Sequence, residues 1–141
     1  MQDVLLDSSI YIAALRGEDA ALRLERITAG TIVWLSAVVL EELYAGAGAR
    51  DREYVEQLER RFGRAGKILV PDLNDWIYTG KVLSRLAAKY DYEKIGRSRL
   101  TNDSLIAMSA ARLGIQVITA NERDFRRLGE FRPVQWLVAL I

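Results

Sequence analysis

The sequence predicts an α/β fold in which a parallel β-sheet is covered by helices on both faces, a Rossmann-like three-layer arrangement. Short apolar or β-branched runs alternate along the chain with longer segments of helical periodicity. The first run, residues 4–6, is apolar throughout, as expected of a strand buried on both faces. No repeat, linker or change of composition divides the chain, so we expect a single domain over residues 1–141.

Composition limits the classes of protein to which the chain can belong. Of its 141 residues, 50% are hydrophobic and 28% are charged, which is the balance of a soluble globular protein. No apolar run approaches the roughly 20 residues that a membrane span needs. The N-terminus also lacks the layout of a signal peptide. We therefore expect a cytoplasmic protein without a membrane partner.

The chain contains neither cysteine nor histidine. Disulfides, thiolate metal sites, histidine-ligated zinc and Ser-His-Asp triads are therefore excluded. Any hydrolytic chemistry has to come from carboxylates, lysine, tyrosine or a hard metal ion. The net charge of +1 is too close to neutral to indicate nucleic-acid binding. The same net charge would also result from an acidic pocket surrounded by a basic rim.

The predicted strands are short and are bounded by residues that stop or cap structure. They are residues 4–6, 31–35, 68–70 and 115–118, with 132–137 as an edge strand. The last is placed at an edge because Pro133 cannot donate a ladder hydrogen bond in a central strand.

Helical periodicity and capping residues define the segments between these strands. The predicted helices are residues 8–15, 18–29, 37–46, 51–64, a helix capped by Asp72 or Asn74 that reaches Tyr90, and residues 101–113; residues 119–125 form a turn and the start of a short helix. Ser36 is the predicted cap of the third helix, and Trp76 is placed on the apolar face of the fifth. The polar residues 91–100 are expected to form an exposed, mobile loop.

Four acids fall at strand ends or near helix starts in this scheme. They are Asp7, Glu42, Asp103 and Asp124. Because ligands of open α/β sheets bind at the carboxyl ends of the strands, all four are expected toward the same sheet edge. Carboxylates gathered in a low dielectric repel one another unless a cation lies between them. Mg²⁺ and Mn²⁺ take such oxygen ligands, and they serve phosphoryl chemistry.

Each acid also has a purely structural interpretation. Asp7 and Asp103 lie at helix N-termini, where the macrodipole favours an acid by about 0.3–1 kcal/mol. Glu42 is more informative because it shares an apolar helix stripe with Val39 and Leu43, where a charge is rarely left unpaired. The alternative for Glu42 is a salt bridge to an arginine. Glu41 points about 100° away and is expected to face solvent.

Four segments resemble those of PIN-domain proteins, and specifically the small VapC-type ribonuclease toxins of bacterial and archaeal toxin–antitoxin pairs. They are LLDSS at 5–9, LSAVVLEELYAG at 35–46, TNDSLIA at 101–107 and VITANERDF at 117–125. They occur in the family's order and spacing, and their register selects Glu42 over Glu41. The resemblance implies a PIN-like fold and a Mg²⁺- or Mn²⁺-dependent endoribonuclease, a hydrolase that cuts phosphodiesters with metal-activated water.

The resemblance also implies roles for individual residues. Asp7, Glu42 and Asp103 would be catalytic metal ligands and Asp124 the fourth acid. Ser8, Ser9 and Thr119 would orient carboxylates or water. Asn121 occupies a position at which many relatives have an acid, which leaves a second metal position open.

Partners follow from the same resemblance. They are an RNA substrate, a VapB-like antitoxin protein that covers the cleft, a homodimer, and a toxin–antitoxin hetero-oligomer. Arg97 and Arg99 are expected to flank the cleft and hold RNA phosphates, with Lys94, Arg123, Arg126 and Arg127 nearby. A solvated basic face is the alternative for all six. The aromatic residues available to a protein partner include Tyr44, Tyr54 and Trp76.

Two other functions compete with the endoribonuclease. A phosphoacceptor receiver domain also has acids at strand ends, but it needs a lysine after a late strand, and none follows Ile118 directly. A non-catalytic PIN-like module that binds RNA or protein is the second. The four acids argue against it, because loss of catalysis usually removes them.

Overall fold

The computed structural model describes residues 1–17, 19–91 and 97–139, and at residues 20–21 and 97–99 it describes the backbone alone. Five strands form one sheet. They are β1 (Gln2–Leu6), β2 (Thr31–Ser36), β3 (Ile68–Leu69), β4 (Gln116–Thr119) and β5 (Trp136–Val138). The helices are α1 (Ser8–Arg16), α2 (Ala20–Thr28), α3 (Ala37–Gly46), α4 (Ala49–Arg64), α5 (Leu73–Tyr90), α6 (Arg97–Leu113) and α7 (Glu122–Gly129).

The sheet is parallel throughout, with strand order β3-β2-β1-β4-β5. Strand β1 is central: Leu5 pairs with Trp34 of β2 on one side and with Val117 of β4 on the other. The predicted fold class is confirmed, and β5 is the edge strand expected after Pro133. Because the chain runs outward from β1 in both directions, the order reverses between β1 and β4, which is where open α/β sheets bind ligands.

Both faces of the central strand are buried. Val4, Leu5 and Leu6 are at most 2% exposed, and successive strand residues point to opposite faces. Helices therefore cover the sheet on both sides, and their apolar faces complete one hydrophobic core. The core fixes the register of β1, so the residue after Leu6 emerges at a defined position on the carboxyl edge.

Helix α6 begins at Arg97, so the prediction that it starts at Thr101 is wrong. Leu100 is 3% exposed, and its burial anchors a helical turn that the polar sequence around it had concealed. The predicted mobile loop over 91–100 is therefore wrong for its last four residues, while 92–96 lie outside the described residues. Asp103 consequently falls in the second turn of α6 and not in the first.

The prediction that Trp76 lies on the apolar face of α5 is also wrong, since its side chain is 55% exposed. The buried stripe of α5 instead begins at Asp75, which is 1% exposed and pairs with Arg112 of α6. Asp72 is the N-cap, and its side chain and that of Asp75 form a reciprocal capping box. Because the buried stripe of α5 passes through Asp75, the next residue, Trp76, faces solvent.

Among the helices of the described ranges, none is long and apolar enough to cross a membrane.

Candidate active site

Asp7 leaves the end of β1 and is held at both carboxylate oxygens. Its backbone N–H donates to the Ile118 carbonyl of β4 at 3.1 Å. Oδ1 accepts the Ser9 backbone N–H at 3.1 Å and also the Ser9 hydroxyl, so Asp7 is the N-cap of α1. Oδ2 accepts the Thr119 hydroxyl at 2.5 Å. Burial nevertheless raises the pKa of Asp7, and these hydrogen bonds only partly offset it.

The two hydroxyls that hold Asp7 also hold the backbone beyond β4. The Ser9 hydroxyl oxygen accepts the N–H of Ala120 at 3.1 Å, and that of Thr119 accepts the N–H of Asn121 at 2.9 Å. Ser9 and Thr119 therefore couple the start of α1 to the turn before α7. Their expected role in orienting a carboxylate fits this geometry.

Glu42 lies on the half-buried side of α3, between the buried Val39 and Leu43. Its Oε1 atom is buried and has no hydrogen-bond partner. Burial raises the pKa of Glu42, the nearby Ser8 hydroxyl and Asn102 amide lower it, and the charges of Glu41 and Asp7 raise it again. Among the described side chains, no arginine or lysine lies within 4.0 Å of this carboxylate, so none of them forms the salt bridge that was the alternative.

Asn121 connects the remaining two acids. Its Nδ2 amide lies 2.8 Å from Oδ2 of Asp124 and 3.5 Å from Oδ2 of Asp103. Both acids are buried, each with 6% exposure. Oδ1 of Asp124 has no hydrogen-bond partner, and the Arg123 Nε atom is 3.6 Å away, too far to supply one. An amide thus stands between two carboxylates where the resemblance suggested an acid.

One cavity of about 430 Å³ gathers three of the predicted acids. Its lining consists of Asp7, Ser8, Ser9, Ile12, Glu41, Glu42, Asn102, Asp103 and Asn121. Asp124 and Thr119 are not part of this lining, but they are hydrogen-bonded to the lining residues Asn121 and Asp7. A second cavity of similar volume, about 440 Å³, has Glu130 as its single acid. Chemistry therefore distinguishes the acidic cavity, and size does not.

Glu41 and Asn102 belong to this cavity, although sequence reasoning did not select them. Glu41 is exposed as expected, but it also lines the cavity, and its Oε2 atom lies 3.5 Å from the Asn102 Nδ2 amide. The signal available for Asn102 was its place directly before Asp103 in the motif. Helical geometry correctly placed Glu41 toward solvent, but this did not reveal that Glu41 lines the cavity, because the cavity is itself open to solvent beside the helix.

The acidic cavity has the donor chemistry of a hard divalent cation, since its carboxylate, hydroxyl and amide oxygens match the preference of Mg²⁺ and Mn²⁺. The buried, unpartnered Oε1 atom of Glu42 is a further sign of fit, because such an atom is costly without a hydrogen donor or a cation. Within the described ranges, however, no group of three or more acids is close enough to hold an ion in the present side-chain positions.

The predicted basic rim is described only in part. The side chains of Arg97 and Arg99 lie outside the described residues, as does Lys94. Arg123 is 72% exposed, Arg126 pairs with Glu122, and the guanidinium of Arg127 lies 4.3 Å from the Tyr90 ring centroid. Arg123 is thus the member of α7 best exposed to a ligand.

The sequence pattern of the PIN domain family matches residues 4–130. The chain belongs to the PIN domain family. The matched segment includes every acid of the cavity, so the PIN domain and the candidate site coincide. A search of curated protein sequences gives no match.

Solved structures share this PIN domain fold over nearly their whole length. A chain of VapBC2 from Rickettsia felis, solved with a promoter DNA fragment, is 18% identical with a TM-score of 0.72, covering 99% of this chain and 100% of that one. VapBC-1 from nontypeable Haemophilus influenzae is 23% identical with a TM-score of 0.68, covering 97% and 98%. DNA-bound VapBC from Salmonella typhimurium is 22% identical with a TM-score of 0.67, covering 98% of each chain. These likenesses establish the fold.

Proposed function

We propose that this PIN domain is a Mg²⁺- or Mn²⁺-dependent endoribonuclease that acts as the toxin of a toxin–antitoxin pair. The observation that carries the proposal is the acidic cavity at the reversal of strand order, where Asp7, Glu42 and Asp103 meet from distant parts of the sequence. Buried carboxylates in one cavity are costly without a cation, and a protein keeps such a group when its function needs one.

Asp7, Glu42 and Asp103 are the residues that would hold the divalent ion, with Asp124 contributing through the Asn121 bridge. The bound ion would activate water and neutralise charge on the scissile phosphate. Ser9 and Thr119 hold the Asp7 carboxylate in one orientation. Asn102 and Ser8 flank Glu42, and Asn121 keeps Asp103 and Asp124 in register without adding a negative charge.

A partner protein is part of the proposal. The VapBC structures that share the fold support a VapB-like antitoxin as the partner in a toxin–antitoxin hetero-oligomer. A homodimer of this chain within that assembly is a further part of the proposal. The exposed Trp76, together with Ile77 and Tyr78 at 45% and 44% exposure, offers apolar surface for protein contacts. The substrate, RNA, would approach the acidic cavity past Arg123.

A non-catalytic PIN module that binds RNA or protein is the second candidate function. It is favoured by one observation: the described acids do not come close enough to form a coordination shell of three. In that case the hydrogen bonds of Asp7 and Asp124 would be structural, and the chain would bind a partner without cutting it.

Cleavage of a single-stranded RNA by the purified protein separates the two functions. We expect cleavage in Mg²⁺ or Mn²⁺ and none in EDTA, and a loss of at least about a hundredfold in Asp7→Asn or Asp103→Asn. Asp19→Asn is the matched control, because this acid is exposed and caps no backbone N–H with its side chain. RNA binding without cleavage in any divalent ion would establish the non-catalytic function, and equal cleavage in EDTA would exclude the metal mechanism.

A further inference from the structure

A second groove opens beside the acidic cavity and shares two of its residues, Ile12 and Glu42. It has a volume of about 210 Å³ and lies between α1, the end of α3 and the start of α4. Its base is formed by the buried side chains of Leu43 and Val55. Glu42, whose Oε1 atom has no hydrogen-bond partner, therefore lies between the groove and the site of the proposed chemistry.

We propose that this groove is a nucleobase subsite, which receives the base of the nucleotide next to the scissile phosphate. The inference rests on the proposed function, and it names the residues that read the RNA there. They are Ile12, Leu15 and Arg16 of α1, Gly46 of α3, and Ala47 and Asp51 beyond it. A strand whose phosphate lies among Asp7, Glu42 and Asp103 has a neighbouring nucleotide within reach of this groove.

The apolar walls suit the flat face of a base. Ile12 and Leu15 are aliphatic and partly exposed, so they are available for contact. Gly46 lines the groove, and a Cβ atom built there meets no atom within 4 Å, so there is open space beside this residue. Every nucleobase presents such a face, and contact with it contributes to binding of single strands.

Besides Glu42, two charged residues line the groove, and both have polar atoms available for a base edge. The Arg16 guanidinium and the Asp51 carboxylate make no hydrogen bond or ion pair with the described residues. Arg16 ends α1 and Asp51 lies in the first turn of α4, so each charge is stabilised by a helix dipole. Together they supply donors and acceptors, which are what the exposed edge of an unpaired base requires.

The size and place of the groove favour a base over a segment of protein. A volume of about 210 Å³ takes one planar group, whereas a peptide helix would need a longer trough. Glu42 lines both the groove and the acidic cavity. The ligand of the groove therefore has to fit beside a phosphate bound in that cavity. RNA meets this requirement because base and phosphate alternate along one strand.

Gly46→Leu tests the subsite, because it fills the groove from a helical position at which a side chain meets no neighbour. Gly80→Leu is the matched control: Gly80 is also helical, exposed and free of neighbours within 4 Å, but it lies on α5. Each protein is titrated in Mg²⁺ with nucleoside 5′-monophosphates and with ribose 5-phosphate, which lacks the base. Amide NMR shifts report binding, and cleavage of a random-sequence RNA is mapped separately.

We expect monophosphates to bind the wild type and Gly80→Leu about tenfold more tightly than ribose 5-phosphate, and Gly46→Leu to lose this difference. The base preference at the cleavage position should weaken in Gly46→Leu as well.

Base-dependent binding that is lost in Gly46→Leu supports the subsite even if the wild type cuts no RNA, in which case only the proposed function fails. Equal binding of all ligands by the wild type would overturn the inference, as would an unchanged cleavage pattern in Gly46→Leu. The inference would also be overturned if Gly46→Leu lost a copurifying protein while its nucleotide binding stayed unchanged. That result would show that the groove binds a protein segment.

Discussion

The hydroxyl of Thr119 donates a hydrogen bond to Oδ2 of Asp7 across 112 residues of sequence. The two residues end neighbouring parallel strands, so the sheet itself brings them into contact. Oδ1 of the same carboxylate accepts the backbone N–H of Ser9. Asp7 is therefore at once a helix cap and a cavity-lining acid: its structural interpretation as a cap is confirmed, and its role as a metal ligand stays a prediction.

Thr119→Val should reduce RNA cleavage by about 10- to 100-fold, because it removes the donor that orients Oδ2 of Asp7 while keeping the side-chain volume. Initial rates in Mg²⁺ measure the effect, and circular dichroism checks that the fold is kept. Thr28→Val is the matched control, since it removes a hydroxyl that donates only to the Leu24 carbonyl within α2. A rate equal to that of the wild type would show that Asp7 does not need the hydroxyl of Thr119.

Glu42→Gln should abolish most cleavage, whereas Glu41→Gln should matter far less. Both residues line the cavity, but Glu42 is half-buried with an unpartnered oxygen, while Glu41 is exposed and lies close to Asn102. The two variants are matched in chemistry and adjacent in sequence, so their ratio of rates is the measurement. A larger loss in Glu41→Gln would mean that the neighbouring acid holds the ion.

Without divalent ions, Glu42 should make the protein less stable as pH rises. The ordinary pKa of this glutamate, 4.5, applies to the unfolded chain, and burial raises the pKa in the folded state. Between these two values the folded state binds more protons than the unfolded one, so the free energy of unfolding falls as pH rises through that window. The destabilisation is complete above the folded-state pKa and absent below the unfolded pKa.

Melting temperatures in EDTA from about pH 4 to about pH 8 measure this effect. The difference in melting temperature between Glu42→Gln and the wild type should shift in favour of the wild type as pH falls, because glutamine does not titrate. Asp7 has a pKa shifted in the same direction and remains in both proteins, so its own titration contributes to both curves. A difference that stays constant with pH would show that Glu42 titrates normally.

Asp75→Ala should lower the free energy of unfolding by about 3 kcal/mol, because it leaves Arg112 without its buried partner and removes the capping box of α5. Arg112 donates to Asp75 from Nε at 3.0 Å to Oδ2, and its Nη2 atom lies 3.0 Å from the same oxygen. Urea denaturation measures the loss. Lys89→Ala, which removes the exposed pair with Glu130, is the control and should change little. An equal loss in both variants would refute the special role of Asp75.

Sequence reasoning located Asp7, Glu42 and Asp103 because all three follow from strand order and helix register. Parallel strands place the residues after Leu6 and Ile118 at one edge, and the apolar stripe of α3 turns Glu42 inward. The errors have one common cause. Buried residues in polar surroundings, such as Leu100 and Asp75, change an element's start or face, and a pattern of hydrophobicity cannot show which polar residue has a buried partner.

The details of the cavity depend on contacts between side chains of different elements, and such contacts leave no periodic pattern in the sequence. That the Asn121 amide would bridge Asp103 and Asp124 requires the relative placement of α6 and α7 to within an ångström. The same is true of the approach of Asn102 to Glu41. Such contacts arise from packing between elements, which the spacing of residues along one element does not determine.

The central place of β1 has a consequence for the timing of synthesis. Strand β2 can pair with β1 soon after the ribosome has made both. The other edge of β1 cannot pair until β4 has been made, and the hydrogen bond from Thr119 to Asp7 cannot form before then. Asp103 and Asn121 are also made late. A growing chain therefore lacks Asn102, Asp103 and Asn121 of the acidic cavity until synthesis is nearly finished, so the cleavage activity that we propose would begin only then.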